Sequence, residues 1–102
     1  MYQLTTPRHR FILPKAVSAD ELEWALISYE QNGKIVLEKD LASLTIEGQV
    51  LSIRLTQEET ALFDEKTPAW VQLRCGASGL AFASRKFQIT IKEVINKTVL
   101  GV

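Results

Sequence analysis

The sequence predicts an all-β fold, an Ig-like β-sandwich of about seven antiparallel strands with one short helical turn near residues 57–63. Three observations predict it. Apolar residues recur with a period of two, as in Ala69-Trp70-Val71-Gln72-Leu73-Arg74-Cys75. Turn signals return about every 8–12 residues, the spacing of a sandwich. There is no long amphipathic helix to cover one face of a single sheet, so two sheets have to cover each other. The Cys–Trp–Cys signature of true Ig domains is absent, because the chain holds a single Cys.

Taken in order, Arg10-Phe11-Ile12-Leu13 reads as a short strand closed by Pro14, which cannot donate a ladder hydrogen bond. Lys15–Asp20 reads as a loop. The stretch from Glu21 to Glu30 fits two patterns. Leu22, Trp24 and Leu26 alternate against Ala25, Ile27 and Tyr29, yet Leu22, Ala25, Leu26 and Tyr29 also form a helical stripe that Ser18 could cap. Context decides for a strand over Trp24–Glu30. Asn32-Gly33 is a strong type I′ hairpin signal, and Lys34-Ile35-Val36-Leu37-Glu38 follows it at once.

Leu44-Thr45-Ile46, a turn at Glu47-Gly48 and a strand over Gln49–Leu55 form a second hairpin. Thr56-Gln57-Glu58-Glu59 is a capping box opening a helical turn, with Leu62 and Phe63 expected under the sheet edge. After the turn at 64–68, the strand Ala69–Cys75 puts Ala69, Val71, Leu73 and Cys75 inward, with Trp70, Gln72 and Arg74 outward. Gly76-Ala77-Ser78-Gly79 reads as a small-residue loop. Leu80–Ala83 and Phe87–Val94 read as one long or bulged last strand. The domain is expected over residues 9–95, with short tails at 1–8 and 96–102.

The 102 residues carry 12 basic and 12 acidic side chains, so no global field attracts nucleic acid or an anionic membrane. No stretch approaches the ~20 apolar residues that span a bilayer, and the start of the chain lacks the pattern of a secretory signal. The charges are expected to alternate with apolar residues or to cluster at turns, without forming a stripe.

Candidate chemistry is sparse. His9 lies between Arg8 and Arg10 and reads as a solvated strand end. Cys75 lies on an apolar strand face and reads as an inert small hydrophobe. The acidic pairs Glu21/Glu23, Glu58/Glu59 and Asp64/Glu65 read as surface, helix-start and turn residues. No catalytic, metal or cofactor constellation assembles, and the expectation is a protein that is not an enzyme. Trp70, Gln72, Arg74 and Trp24 form the candidate interaction surface, because exposed Trp with Arg nearby is the composition of an interface hot spot. The competing reading packs each Trp on a sheet edge, or shifts a register by one residue.

Four segments taken together carry a resemblance: His9–Pro14, Tyr29–Lys39, Leu55-Thr56-Gln57-Glu58-Glu59-Thr60-Ala61-Leu62-Phe63, and Val71-Gln72-Leu73-Arg74. With them the chain resembles a family of small uncharacterised proteins encoded in the structural-gene modules of phages and prophages of Gram-positive bacteria. More loosely, it is similar to the N-terminal β-sandwich domain of phage baseplate upper proteins. The resemblance covers residues 9 to about 94 and brings no catalytic residues. It implies a virion or tail-assembly role. Other phage structural proteins would be the partners, the host cytoplasm the place of assembly, and the virion the destination. The rival expectation is a carbohydrate-binding module recognising host cell-wall glycan. Edge strands and near-zero net charge leave homo-oligomerisation open.

Overall fold

The computed structural model describes residues 1–101. Eight strands form two antiparallel sheets, as an all-β sandwich requires. They are β1 (Arg8–Ile12), β2 (Trp24–Gln31), β3 (Lys34–Asp40), β4 (Thr45–Glu47), β5 (Val50–Arg54), β6 (Ala69–Ala77), β7 (Leu80–Ala83) and β8 (Phe87–Ile89). One sheet has three strands in the order β1-β5-β4. The other has five: β3-β2-β6-β7, with β8 also on β6.

The period-two alternation builds the core between them. Phe11, Leu51 and Ile53 come from the smaller sheet, and Ala25, Ile27, Tyr29, Val71, Leu73 and Cys75 from the larger. Leu55 and Phe63 close one end, with Phe63 edge-on to Tyr29 at 5.8 Å between ring centres. Burying each large side chain stabilises the fold by roughly 1.5–3 kcal/mol, which is why the alternation fixes the register so firmly.

Turn chemistry sets the hairpins. Asn32 (φ 54°) and Gly33 (φ 75°) make the expected I′ turn between Gln31 and Lys34. Between Glu47 and Val50 the turn residues are Gly48 and Gln49, one position later than expected. The expected loop at 76–79 is shorter than four residues. Gly76 and Ala77 still belong to β6, and Ser78-Gly79, both at positive φ, make a two-residue turn. The long last strand is two strands. β7 pairs residues 74–77 of β6 and β8 pairs residues 69–71, with the link between them pinned where Ser84 exchanges hydrogen bonds with the Leu73 backbone.

The capping box forms as read. The Glu59 N–H donates to Thr56 Oγ1 at 3.1 Å, and the Thr56 N–H donates to Glu59 Oε1 at 2.9 Å. The helix it opens, α1, is Gln57–Thr60. Phe63 is buried as expected, whereas Leu62 is 60% exposed, because the turn after α1 aims only one of the two inward.

Residues 1–7, expected as part of a tail, are tied into the domain. The Gln3 N–H donates to the Lys92 carbonyl and the Lys92 N–H to the Met1 carbonyl, and the Gln3 side chain is buried against Phe63. Toward the other end, Leu100 exchanges two hydrogen bonds with the Gln57 side chain; Val102 of the expected 96–102 tail lies outside the described residues. Two glutamines, Gln31 buried and Gln49 half-buried, hold the irregular segments. Gln31 bonds Asp64 and Thr67, and Gln49 bonds Pro14, Val17 and Ala19, so the loops satisfy their backbone without a ladder.

Candidate interaction surface

The register of β2 against β6 decides where the four candidate residues stand. Trp24 pairs with Gly76, Leu26 with Arg74, Ser28 with Gln72 and Glu30 with Trp70. Because Ala25, Ile27, Tyr29, Val71, Leu73 and Cys75 face the core, all four candidates share the outer face of the five-stranded sheet. Both tryptophans are 38% exposed. The face is therefore the one the alternation indicates, with no slip of register.

Trp24 owes its place to Gly76. A Cβ added at Gly76 would stand 2.6 Å from Trp24 Nε1 and 2.4 Å from the Leu80 carbonyl oxygen. The indole thus lies directly on the glycine backbone, a close approach that only a strand glycine permits. Arg74 stands over the ring, with the guanidinium carbon 5.7 Å from the ring centre, a cation–π geometry. Sequence reasoning put Gly76 in a loop and so missed it as the seat of Trp24, although an isolated Gly within an alternating strand is the signal for such an approach.

Trp70 stands at the far end of the face. It lies six positions from Gly76 along β6, or roughly 20 Å at the usual rise of a strand. It walls a depression of about 190 Å³ shared with Ser28, Glu30, Ile35, Gln72 and Lys86. Gln72 is less available than the sequence suggests, since its amide nitrogen donates to the Ser84 carbonyl at 2.8 Å. The face therefore holds two separate aromatic points, one backed by Arg74 and one beside a polar depression.

The residues with intrinsic reactivity lie elsewhere. Cys75 is fully buried, and burial pushes its thiol pKa up. His9 is not a solvated strand end. Arg8 and Arg10 point outward, so His9 points inward and shares a 2.6 Å hydrogen bond between Nδ1 and the Tyr29 hydroxyl, across the gap between the sheets. Burial, then the positive N-terminus, lowers the His9 pKa, so the ring is held neutral. Burial, then the Glu59 charge, pushes the Tyr29 hydroxyl pKa up. Glu59 is also half-buried, which disfavours its charge, but hydrogen bonds from Lys39 and Thr56 prevail and hold its pKa low. The pair serves as a clasp between the two sheets.

Among the described residues, no group of three His, Cys, Asp or Glu side chains converges as a metal site would require. No helix there is long and apolar enough to cross a membrane. No protein-family model, curated protein or solved structure matches the chain.

Proposed function

We propose that this chain is a non-enzymatic structural protein of a phage, associated with the virion or its tail and baseplate, that works by protein–protein contact through the outer face of its five-stranded sheet. The observation that carries the contact reading is the exposed Trp24, seated on Gly76 and stacked by Arg74. Tryptophan and arginine held rigid on a sheet are the residue types that dominate interface energetics. The phage assignment draws on the resemblance of the four segments quoted above. The test is pull-down of the tail proteins encoded beside this chain, using wild type and the Trp24→Ala/Trp70→Ala double variant. Capture of a tail protein by wild type and its loss in the variant is the expected result. Absence of any such capture, together with absence of the chain from purified virions, overturns the proposal.

A second reading, a carbohydrate-binding module, is favoured by one observation: both exposed tryptophans share a face. It requires glycan-array binding that Trp70→Ala and Trp24→Ala each reduce. An array without signal removes it.

A further inference from the structure

Two small groups of like charge stand on the outer faces of the sheets, one at the β1 edge of the smaller sheet and one on β3 of the larger. In the smaller sheet, Arg8 pairs directly with Arg54, and Arg10 follows two residues along on the same outer face. Like charges directly opposite destabilise a sheet. None of the three forms an ion pair; the ion pairs among the described residues are Lys39–Glu59 and Glu93–Lys97. In the larger sheet, Glu38 and Asp40 occupy the outer face of β3, opposite Ser28 and Leu26, and are likewise without a cation.

Both strands are open edges, and their free backbone groups can be assigned. The Leu55 N–H donates to the Pro7 carbonyl and the Leu13 N–H to the Gln49 carbonyl. In an antiparallel pair, bonding residues alternate with non-bonding ones. Residues 7, 9, 11 and 13 therefore bond β5, and Arg8, Arg10 and Ile12 turn their N–H and C=O groups to the open side. For β3 the alternation is counted across the larger sheet. The Ser84 N–H donates to the Leu73 carbonyl, so odd residues of β6 face β7 and β8, and even ones face β2. Even residues of β2 then bond β6 and odd ones bond β3. Across from Ile27 and Tyr29 stand Lys39 and Leu37, which leaves the backbone groups of Glu38 and Asp40 free.

We propose that β1 of one copy of this chain pairs antiparallel with β3 of a second copy, joining the three-stranded sheet of one to the five-stranded sheet of the next. The register that sets Arg8 against Asp40 also sets Arg10 against Glu38, and in both pairs the free backbone groups face each other. On the inner side, Phe11 meets Leu37 beside an apolar groove of about 280 Å³ lined by Phe11, Leu13, Phe82 and Phe87. His9 meets Lys39, whose charge Glu59 already holds. Ile12, 80% exposed, arrives beside Val36, which the β2–β3 register shift leaves without a partner in β2. A second copy is the occupant because the chain itself supplies the complementary acidic edge. The contact is heterologous, so a pair of copies keeps one free edge of each kind, and growth runs to a ring or a filament.

Sedimentation velocity tests this at protein concentrations up to about 1 mM, enough to populate a millimolar contact. Wild type should grow in mass beyond a dimer as concentration rises. Arg10→Glu and Glu38→Arg should each remain monomeric, and the double variant, which restores complementarity in reverse, should associate again. All four positions of interest are outward-facing, and circular dichroism checks that each variant is folded. Trp24→Ala/Trp70→Ala should associate as wild type does, which separates this edge from the tryptophan face. A monomeric wild type overturns the proposal and leaves the arginine edge to a foreign acidic strand. Association that survives both single reversals overturns it equally.

Discussion

The Trp24 region of the five-stranded sheet and the arginine pair of the three-stranded sheet differ in how completely the chain itself satisfies them. On the five-stranded sheet, Trp24 rests on Gly76 beneath Arg74, and Gln72 is tied to Ser84. On the three-stranded sheet, Arg8 and Arg54 stand opposite one another with no carboxylate between them. The Trp24 region is finished within the chain and presents a rigid aromatic point, although Glu38 and Asp40 at the β3 edge of the same face have no cation. The arginine pair carries an unresolved repulsion. A fold selected only for stability has no use for the second arrangement, since a neutral β-forming residue such as Thr at Arg54 would serve better.

Substitutions on each side should therefore act in opposite directions. The largest effect is expected from Gly76→Ala. Its new methyl group meets the Leu80 carbonyl and the Trp24 indole, and overpacking of this kind costs about 1–3 kcal/mol. Denaturant unfolding should register the loss, and Trp24 fluorescence should shift to the red as the ring leaves its seat. Unchanged stability and emission would mean that the indole does not lie on the glycine.

The clasp between the sheets comes next. Tyr29→Phe deletes the hydroxyl that His9 engages and should cost about 1 kcal/mol. The clasp also predicts a pH dependence. The folded-state pKa of His9 lies below its ordinary 6.5, so just below that pH the unfolded chain binds a proton that the folded chain refuses. The contribution of neutral His9 is complete above about 6.5 and is lost as pH falls from there toward the folded-state value. Urea midpoints at pH 7 and pH 5 should show the fall in wild type and a smaller one in His9→Gln. Equal slopes in both proteins would place the pH sensitivity elsewhere.

The smallest effect carries the opposite sign. Arg54→Thr removes one member of the opposed arginine pair from an exposed position and should raise stability by about 0.2–1 kcal/mol. A loss of stability instead would show that Arg54 is satisfied within the chain and would close the contrast between the two faces.

Much of the fold was legible because its determinants are local. Period-two alternation located β2, β3, β5 and β6, Asn32-Gly33 fixed one hairpin, and Thr56–Glu59 fixed the helix start. The outward placement of Trp24 and Trp70 followed from the same alternation. What stayed hidden depends on partners far along the chain. His9 reads as solvated until β1 is laid on β5 and its ring meets Tyr29, twenty residues away. Gln3 and Gln31, both buried, and Gln49, half-buried, are polar residues whose placement is set by the segments they hold. Arg8 and Arg54 are 46 positions apart, so only the β1–β5 register brings them together; charges that look dispersed along the chain become a cluster on the surface.

The central claim is that the arginine edge of β1 and the acidic edge of β3 are unsatisfied within one copy and satisfy each other between copies. Residue-resolved amide exchange by NMR at low and high protein concentration tests it most directly. In dilute solution, Arg8, Arg10, Glu38 and Asp40 should exchange fast, while His9, Phe11, Leu37 and Lys39 are protected by their ladder bonds. On concentration, protection should appear at the first four amides and leave the tryptophan face unchanged. Fast exchange at those four amides at every concentration contradicts the account.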